Sequence, residues 1–456
     1  MENNINKNDF SSGSIWQHII ALAGPMIIAQ LVQLLYNIVD RIYIGHLPGT
    51  SSIALTGLGL TFPVITIIVA FTSLFGMGGA PLSAIARGRQ DIRRAEAVMG
   101  NTFTMLCISG ILLLGICYIF LKPLLYMFGA SDDTFPYARE YLAVYLLGTP
   151  FVMIGAGMNG FISSQGFARI GMMTTLLGAV ANIILDPVFI FLFHMGIAGA
   201  ALATIISQLL SAVWVMRFLT GSRTLLHIRR SCLPPNLKLI KEIMTLGSAG
   251  FIMSATNGAV QITCNITLKK YGGDLYLGIM TVLISLRDLI ALPVQGLSSA
   301  SQPVFGFNYG AGKYRRIRQG IAFTTVTCVI YMLIAWFIVF MLPKPLIAIF
   351  NTDTALLEAG VPAIRIYFFG FFMMALQMAG QSVFVGLGQS KQAIFFSIFR
   401  KIIIVVPLTI ILPYFNDLGV KGVFLAEPIS NFLGGTACFV TMLFTIKRLF
   451  RNQNQD

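Results

Sequence analysis

The chain has 456 residues, of which 56% are hydrophobic and 11% charged, and its mean hydropathy is +0.81. A charge fraction below half that of an ordinary soluble domain excludes a water-soluble globule and marks an integral membrane protein. The net charge of +14 falls in loops between apolar runs, where basic residues set membrane orientation, so it does not point to nucleic acid.

Apolar runs of about twenty residues are long enough for a helix to cross roughly 30 Å of hydrocarbon. They predict twelve spans near 15–44, 53–80, 95–120, 137–158, 169–193, 197–217, 241–268, 276–303, 317–342, 361–386, 391–415 and 420–446. The polar N-terminus leads into a full-length span, unlike a cleaved signal. The alternating strands of an outer-membrane barrel are absent.

The first span, PMIIAQLVQLLYNIVDR from Pro25 to Arg41, sets Gln30, Gln33, Asn37 and Asp40 three or four residues apart, on one face of a helix. A carboxylate there is costly unless it faces a protein interior or a wet cavity, which makes Asp40 a functional candidate with a proton, cation or substrate as partner. The structural alternative leaves Asp40 solvated at the membrane surface beside Arg41, just before the turn residues Gly45 to Gly49.

Span 5 reads GAVANIILDPVFIF, with Asn182 and Asp186 stacked four apart and Pro187 freeing the Ile183 carbonyl. Asp40 and Asp186 each lie shortly before the outer turn of their span, so they can meet at one depth, where two carboxylates cannot both ionise cheaply. Span 6 adds Thr204, Ser207, Gln208 and Ser211 on one face, either as site groups or as interhelical hydrogen bonds. The two acids, the Asn182 amide, the Thr204 hydroxyl and the Tyr36 phenol make a network that can hold a proton. The same oxygens of Asp40, Asp186 and Asn182 can ligate Na+ when both acids are ionised. No other metal site is expected: the cysteines show no C-x-x-C spacing, and all but Cys232 lie within spans as packing residues.

The chain repeats at an offset near 222. Gly88-x4-Arg93-Arg94 returns as Gly310-x4-Arg315-Arg316, KPLLYMF from Lys122 as KPLIAIF from Lys344, and GIAGAALATIIS from Gly196 as GVKGVFLAEPIS from Gly419. A duplicated six-span unit keeps both halves in one orientation. The expected fold is therefore all-α, twelve transmembrane helices in two parallel six-helix bundles related by a pseudo-two-fold axis along the membrane normal. The lobes are expected at 1–217, with the cation site, and at 241–446, joined by a basic linker at 218–240 and followed by a tail at 447–456.

Inner loops and tails collect Lys7, Arg87, Arg93, Arg94, Arg229, Arg315 and Arg316 among others, against Lys122, Lys269, Lys270, Lys344 and Lys421 outside. That bias sets both termini in the cytoplasm of a multi-pass protein of the inner or plasma membrane. In the second half the polar stripe of span 1 maps onto Ser254, Asn257, Gln261 and Cys264, with no acid. The asymmetry favours a functional Asp40 over a structural one. Arg287, Asp288, Arg400, Lys401 and Glu427 also lie within spans. Adjacent helical residues do not face each other, so Arg287 and Asp288 are expected to take separate partners, with Asp288 pairing to Arg400 or Lys401, or meeting substrate.

These residues resemble the multidrug and toxic compound extrusion (MATE) family of secondary transporters over nearly the whole chain. The resemblance rests on twelve spans in two bundles, on Pro25 with an acid further along span 1, on the loop GRQDIRRAE and on NIILDP in span 5. Asp40 and Asp186, with Tyr36, Tyr141, Asn159, Asn182 and Thr204 at matching places, resemble the DinF-like prokaryotic branch. That resemblance implies a cation site in the N-terminal lobe and a first helix that bends at Pro25 on protonation. The NorM-like branch keeps further acids in spans 7, 8 and 10, where this chain offers Asn257, Gln261 and Gln377, with Asp288 the one acid near.

The implied function is efflux of lipophilic or cationic compounds in exchange for inward protons by alternating access. Na+ coupling is the alternative, and a flippase of lipid-linked oligosaccharides the more distant one. Gln33, Asn37, Asn257, Gln261, Asp288 and Gln377 are expected to line the substrate cavity, and Met- and Phe-rich runs such as Tyr367 to Met374 suit varied ligands. Expected partners are small lipophilic or cationic molecules and the bilayer, with no nucleic acid, no cofactor beyond the coupling ion, and a monomeric chain. No H-E-x-x-H, G-x-S-x-G or phosphate-binding glycine loop occurs in the spans, so no enzymatic step is expected.

Overall fold

The computed structural model describes residues 9–45, 51–350, 353–415 and 418–452, which form helices and no strand. The turn expected after Asp40, with His46, lies outside the described residues, as do Lys7, residues 453–456 of the tail and the side chain of Arg41.

The first half comprises α1 (Ile15–Gly45), α2 (Ser51–Gly88), α3 (Ile92–Ile119), α4 (Leu121–Met127), α5 (Phe135–Leu147), α6 (Thr149–Ser164), α7 (Ala168–Pro187) and α8 (Gly196–Leu219). The second comprises α9 (Leu237–Gly310), α10 (Tyr314–Met341), α11 (Pro343–Ala348), α12 (Thr354–Tyr367), α13 (Met374–Gly386), α14 (Ser390–Ile398), α15 (Val406–Ile411) and α16 (Val420–Asn452). The repeat is visible at once. The short α4 and α11 are built from the matching KPLLYMF and KPLIAIF segments.

Among the described residues, nine helices are long and apolar enough to cross a membrane, and two bent pairs supply further spans. The pairs are α5 with α6, bent by 56°, and α12 with α13, bent by 44°. The twelfth span is the first arm of α9, more polar because it carries Thr256, Asn257, Gln261 and Asn265. Its two arms part at Gly273, whose φ of +65° costs a glycine nothing and would strain any side chain.

Both described ends of the chain lie at one end of the bundle. Phe10 packs on Phe307, and Phe450 on Tyr314, beside the loops that carry the repeated glycine-arginine motifs. Arg316 holds the N-terminal strap there by donating to the carbonyls of Phe10, Ser12 and Gly13. Arg87, expected in a loop, is instead buried. Its guanidinium lies over the Phe10 and Phe307 rings and donates to the Ser164 carbonyl at 2.7 Å, which satisfies a charge too deep to be solvated.

The segment at 218–240 is pinned to the first lobe. Gln165 Oε1 accepts from Thr224, Leu225 and Leu226, while Glu96 accepts from the His227 amide at 3.1 Å and pairs with Arg229 at 2.7 Å.

Two hydrophobic cores form, one mainly from each half, and α1 belongs to both. Ile15, Ile19, Leu22 and Ala23 sit in the core of the second half, whereas Ile44 sits in that of the first. Pro25 lies within the part of α1 held by the second core, which continues through Met26 and Ile27. The lobes also meet backbone to backbone at the basic end. A Cβ on Gly88 would stand 2.0 Å from the Phe307 carbonyl oxygen, and one on Gly310 would stand 2.0 Å from that of Ile85. Ile85 and Phe307 are themselves repeat mates, so this crossing is reciprocal, and only glycines permit it.

Candidate functional site

Three helices bring polar groups to one buried place in the first lobe. The second half of α1 presents Tyr36 and Asp40 one turn apart, α7 presents Asn182 and Asp186, and α8 presents Thr204. Asn182 and Asp186 are fully buried, Thr204 is 3% exposed and Asp40 8%. The surface alternative for Asp40 is thereby removed.

Pro187 cannot donate its backbone amide, and directly after it the helix widens into a π-helical turn over Val188–Leu192. That irregularity sits against the acid. Asn182 Nδ2 donates to Asp186 Oδ1 at 3.2 Å and to Thr204 Oγ1 at 3.4 Å, and Thr204 donates to the Ala200 carbonyl at 3.0 Å. Tyr36 and Tyr141 lie beside Thr204, and Tyr141 stacks on Tyr145 with ring centres 5.9 Å apart. Asp40 is near enough to Asp186 and Tyr36 for direct electrostatic coupling.

Asp186 Oδ2 and Asn182 Oδ1 are buried with no hydrogen-bond partner among the described residues. A buried carboxylate with an unsatisfied oxygen beside a second carboxylate is stabilised at this depth by a proton or a small cation. The donor set is all hard oxygen, which fits H+ or Na+. Among the described residues no group of three His, Cys, Asp or Glu side chains gathers to hold a metal ion.

The remaining residues singled out from the sequence divide. Asn159 forms a separate group, donating to the Gly171 carbonyl at 3.2 Å and accepting from Thr174 at 3.3 Å. Ser211 donates to the Thr174 carbonyl, an interhelical bond of the structural kind. Pro25 lies within an uninterrupted α1. Tyr145 was not singled out, since nothing in its own sequence neighbourhood marks it.

In the second lobe a cavity of about 280 Å³ is lined by Asn257, Arg287, Asp288, Gln377, Arg400 and Lys401 among others. It adjoins a more apolar cavity of about 330 Å³ on the first-lobe side, and the two share Met77, Ser299 and Gln302. Asn257, Asp288 and Gln377 line this cavity. Gln261 does not, and bonds Asn265 at 3.2 Å. Gln33 and Asn37, on the same face of α1 as Asp40 but earlier along the helix, are exposed and line neither cavity.

The expected charge pairing is corrected. Arg287 folds back onto the adjacent Asp288, with Nη2 2.9 Å from Oδ1, and reaches the Tyr367 hydroxyl at 3.2 Å; its long side chain overcomes the divergence of neighbouring Cβ directions. Arg400 pairs with Glu427 and with Gln377, not with Asp288. Lys401 donates to Asn257 Oδ1 and to the Met253 carbonyl.

Two lobes of spanning helices, a buried acid cluster in one and contiguous cavities between them define a membrane transporter. The chain belongs to the MatE family, whose model matches residues 25–188 and 251–411, one stretch in each lobe. It is 24% identical over 427 residues to the multidrug export protein MepA of Staphylococcus haemolyticus, covering 93% of each chain. It is 25% identical over 413 residues to MepA of Staphylococcus saprophyticus, covering 90% of each. Its fold matches the crystal structures of a MATE protein in the bent conformation (TM-score 0.92, 23% identity, 99% of each chain) and in the straight conformation (0.91, 23%, 98% of this chain and 99% of that one).

Proposed function

We propose that this chain is a secondary active multidrug efflux transporter that exports lipophilic or cationic compounds in exchange for inward protons, by alternating access between its two lobes. The observation that carries this reading is the burial of Asp40 against Asp186 and Asn182 on a helix whose other half is packed in the opposite lobe. Protonation removes a charge that is costly at this depth, and α1 is placed to pass that change along the segment around Pro25 to the second lobe. The names of the relatives, multidrug export proteins, support the class of cargo.

In this reading the strapped end with the repeated arginine motifs faces the cytoplasm of the plasma or inner membrane, and the chain works as a monomer. A Na+-coupled antiporter is the second reading, favoured by the two unsatisfied oxygens of Asp186 and Asn182, which suit a cation ligand as well as a proton. Accumulation of a fluorescent lipophilic cation in inside-out vesicles tests the reading. Wild type should accumulate the dye under a proton gradient; accumulation by Asp40→Asn and Asp186→Asn at the wild-type rate would refute it.

A further inference from the structure

The second lobe holds a charged group that the proposed coupling does not use. Three cations, Arg287, Arg400 and Lys401, line its cavity. Arg287 is neutralised by Asp288 and Arg400 by Glu427, whereas Lys401 makes no ion pair among the described residues and is held by the neutral oxygens of Asn257 and Met253. An ammonium has three donors, and two are used. Beside it, Arg400 Nε is buried with no hydrogen-bond partner among the described residues. An uncompensated cation in a spanning segment is costly unless water or an anion meets it.

The rest of the wall describes the body of the ligand. Met77, Met253, Met374 and Met378 line the same cavity, and Met77 continues into the apolar cavity beside it. Methionine surfaces adapt to varied apolar shapes. We propose that Lys401, with Arg400 beside it, is a subsite for the oxyanion group of an amphipathic organic acid, a carboxylate or sulfonate whose apolar body extends past Met77 toward the first lobe. This deepens the efflux reading by adding acidic amphiphiles to the cargo of the same central cavity. The acid end of such a molecule supplies the negative charge that Lys401 lacks, and the Met-lined wall replaces the water around its body. A free organic acid and an acidic lipid headgroup share this chemistry.

The test is direct binding by the full chain in nanodiscs of zwitterionic phosphatidylcholine, with dansylglycine as the acid and its neutral amide as the control. Wild type should bind the acid at least about tenfold more tightly than the amide, a difference of about 1.4 kcal/mol. Lys401→Met should erase the preference and Lys401→Arg should keep it. Equal binding of acid and amide by wild type overturns the proposal without reliance on any variant, and so does a preference that survives Lys401→Met. Repetition in nanodiscs with phosphatidylglycerol separates the sources. An unchanged acid preference assigns the subsite to soluble acids, whereas competition lost in Lys401→Met assigns it to a lipid headgroup. Binding does not depend on coupling, so failure of proton-driven transport would leave this result standing, and a negative result here would leave the export of cations untouched.

Discussion

Cys264 Sγ, at the place in the second lobe that corresponds through the repeat to Asp40 in the first, lies 4.0 Å from Thr409 Oγ1 in the fifth span of that lobe. The duplicated unit has kept the contact between its first and fifth spans and has made it neutral. A group needed only for packing has no reason to carry charge in one copy alone. Asp40→Asn and Asp186→Asn should therefore each lower efflux at least about tenfold, about 1.4 kcal/mol or more in the barrier, with wild-type amounts of folded protein by size-exclusion chromatography. Cys264→Ser should stay within about twofold, less than roughly 0.5 kcal/mol. Equal losses at both places would make the contact structural in both lobes.

The reciprocal glycine crossing gives a prediction about the lobes themselves. Gly310→Ala brings a methyl within 2.0 Å of the Ile85 carbonyl oxygen, and backbone rather than a flexible side chain has to yield. The basic ends of α2 and α9 should separate, at a cost of about 1–3 kcal/mol to the closed arrangement. A cysteine at Ile85, in a background without native cysteines, should gain reactivity to an impermeant reagent in the Gly310→Ala variant. Unchanged protection would mean that the seam does not hold the lobes.

The buried pair of Arg400 and Glu427 should behave as a desolvated ion pair. Removing one partner, as in Glu427→Gln, leaves the other charge uncompensated and should cost about 3–5 kcal/mol, while replacing both with Met should cost much less. Thermal unfolding in detergent measures the difference. A double replacement as damaging as the single one would assign the loss to packing rather than to charge.

Pro25 stands in the part of α1 packed in the second lobe, N-terminal to the part that carries Tyr36 and Asp40. Pro25→Ala restores a backbone donor and stiffens the helix, so transport should slow several-fold, roughly 1 kcal/mol in the barrier, while protonation of the site persists. Proton uptake measured with a pH indicator should match wild type as transport falls. Loss of both together would place Pro25 in the site rather than in its transmission. A cysteine at Ser299, which lines both cavities, should likewise be labelled in one conformation and protected in the other, and labelling that never varies would argue against alternating access.

Much of this was legible in the sequence because two signals are local. Hydrophobic length gives the spans, and the spacing of Asn182, Asp186 and Pro187 gives a polar face beside a freed carbonyl. The repeat supplied the relation between the halves, and the short α4 and α11 follow it closely. What the sequence does not contain is the third dimension between spans. Nothing near Arg400 indicates that Glu427, a whole span away, is its partner. The packing that buries Asp40 and leaves Gln33 and Asn37 on the same face exposed depends on how α1 lies between α7 and α9. Arg87 misleads for the opposite reason: it reads as a loop cation, yet Phe10 and Phe307 enclose it.

Transport in proteoliposomes with the pH and Na+ gradients imposed separately tests the proton-coupled reading most directly. An inward proton gradient should sustain efflux of a lipophilic cation in Na+-free buffer, and the flux should disappear in Asp40→Asn and Asp186→Asn. Efflux that requires Na+ and ignores the pH gradient would contradict proton coupling and assign the oxygens of Asp40, Asp186 and Asn182 to a Na+ site.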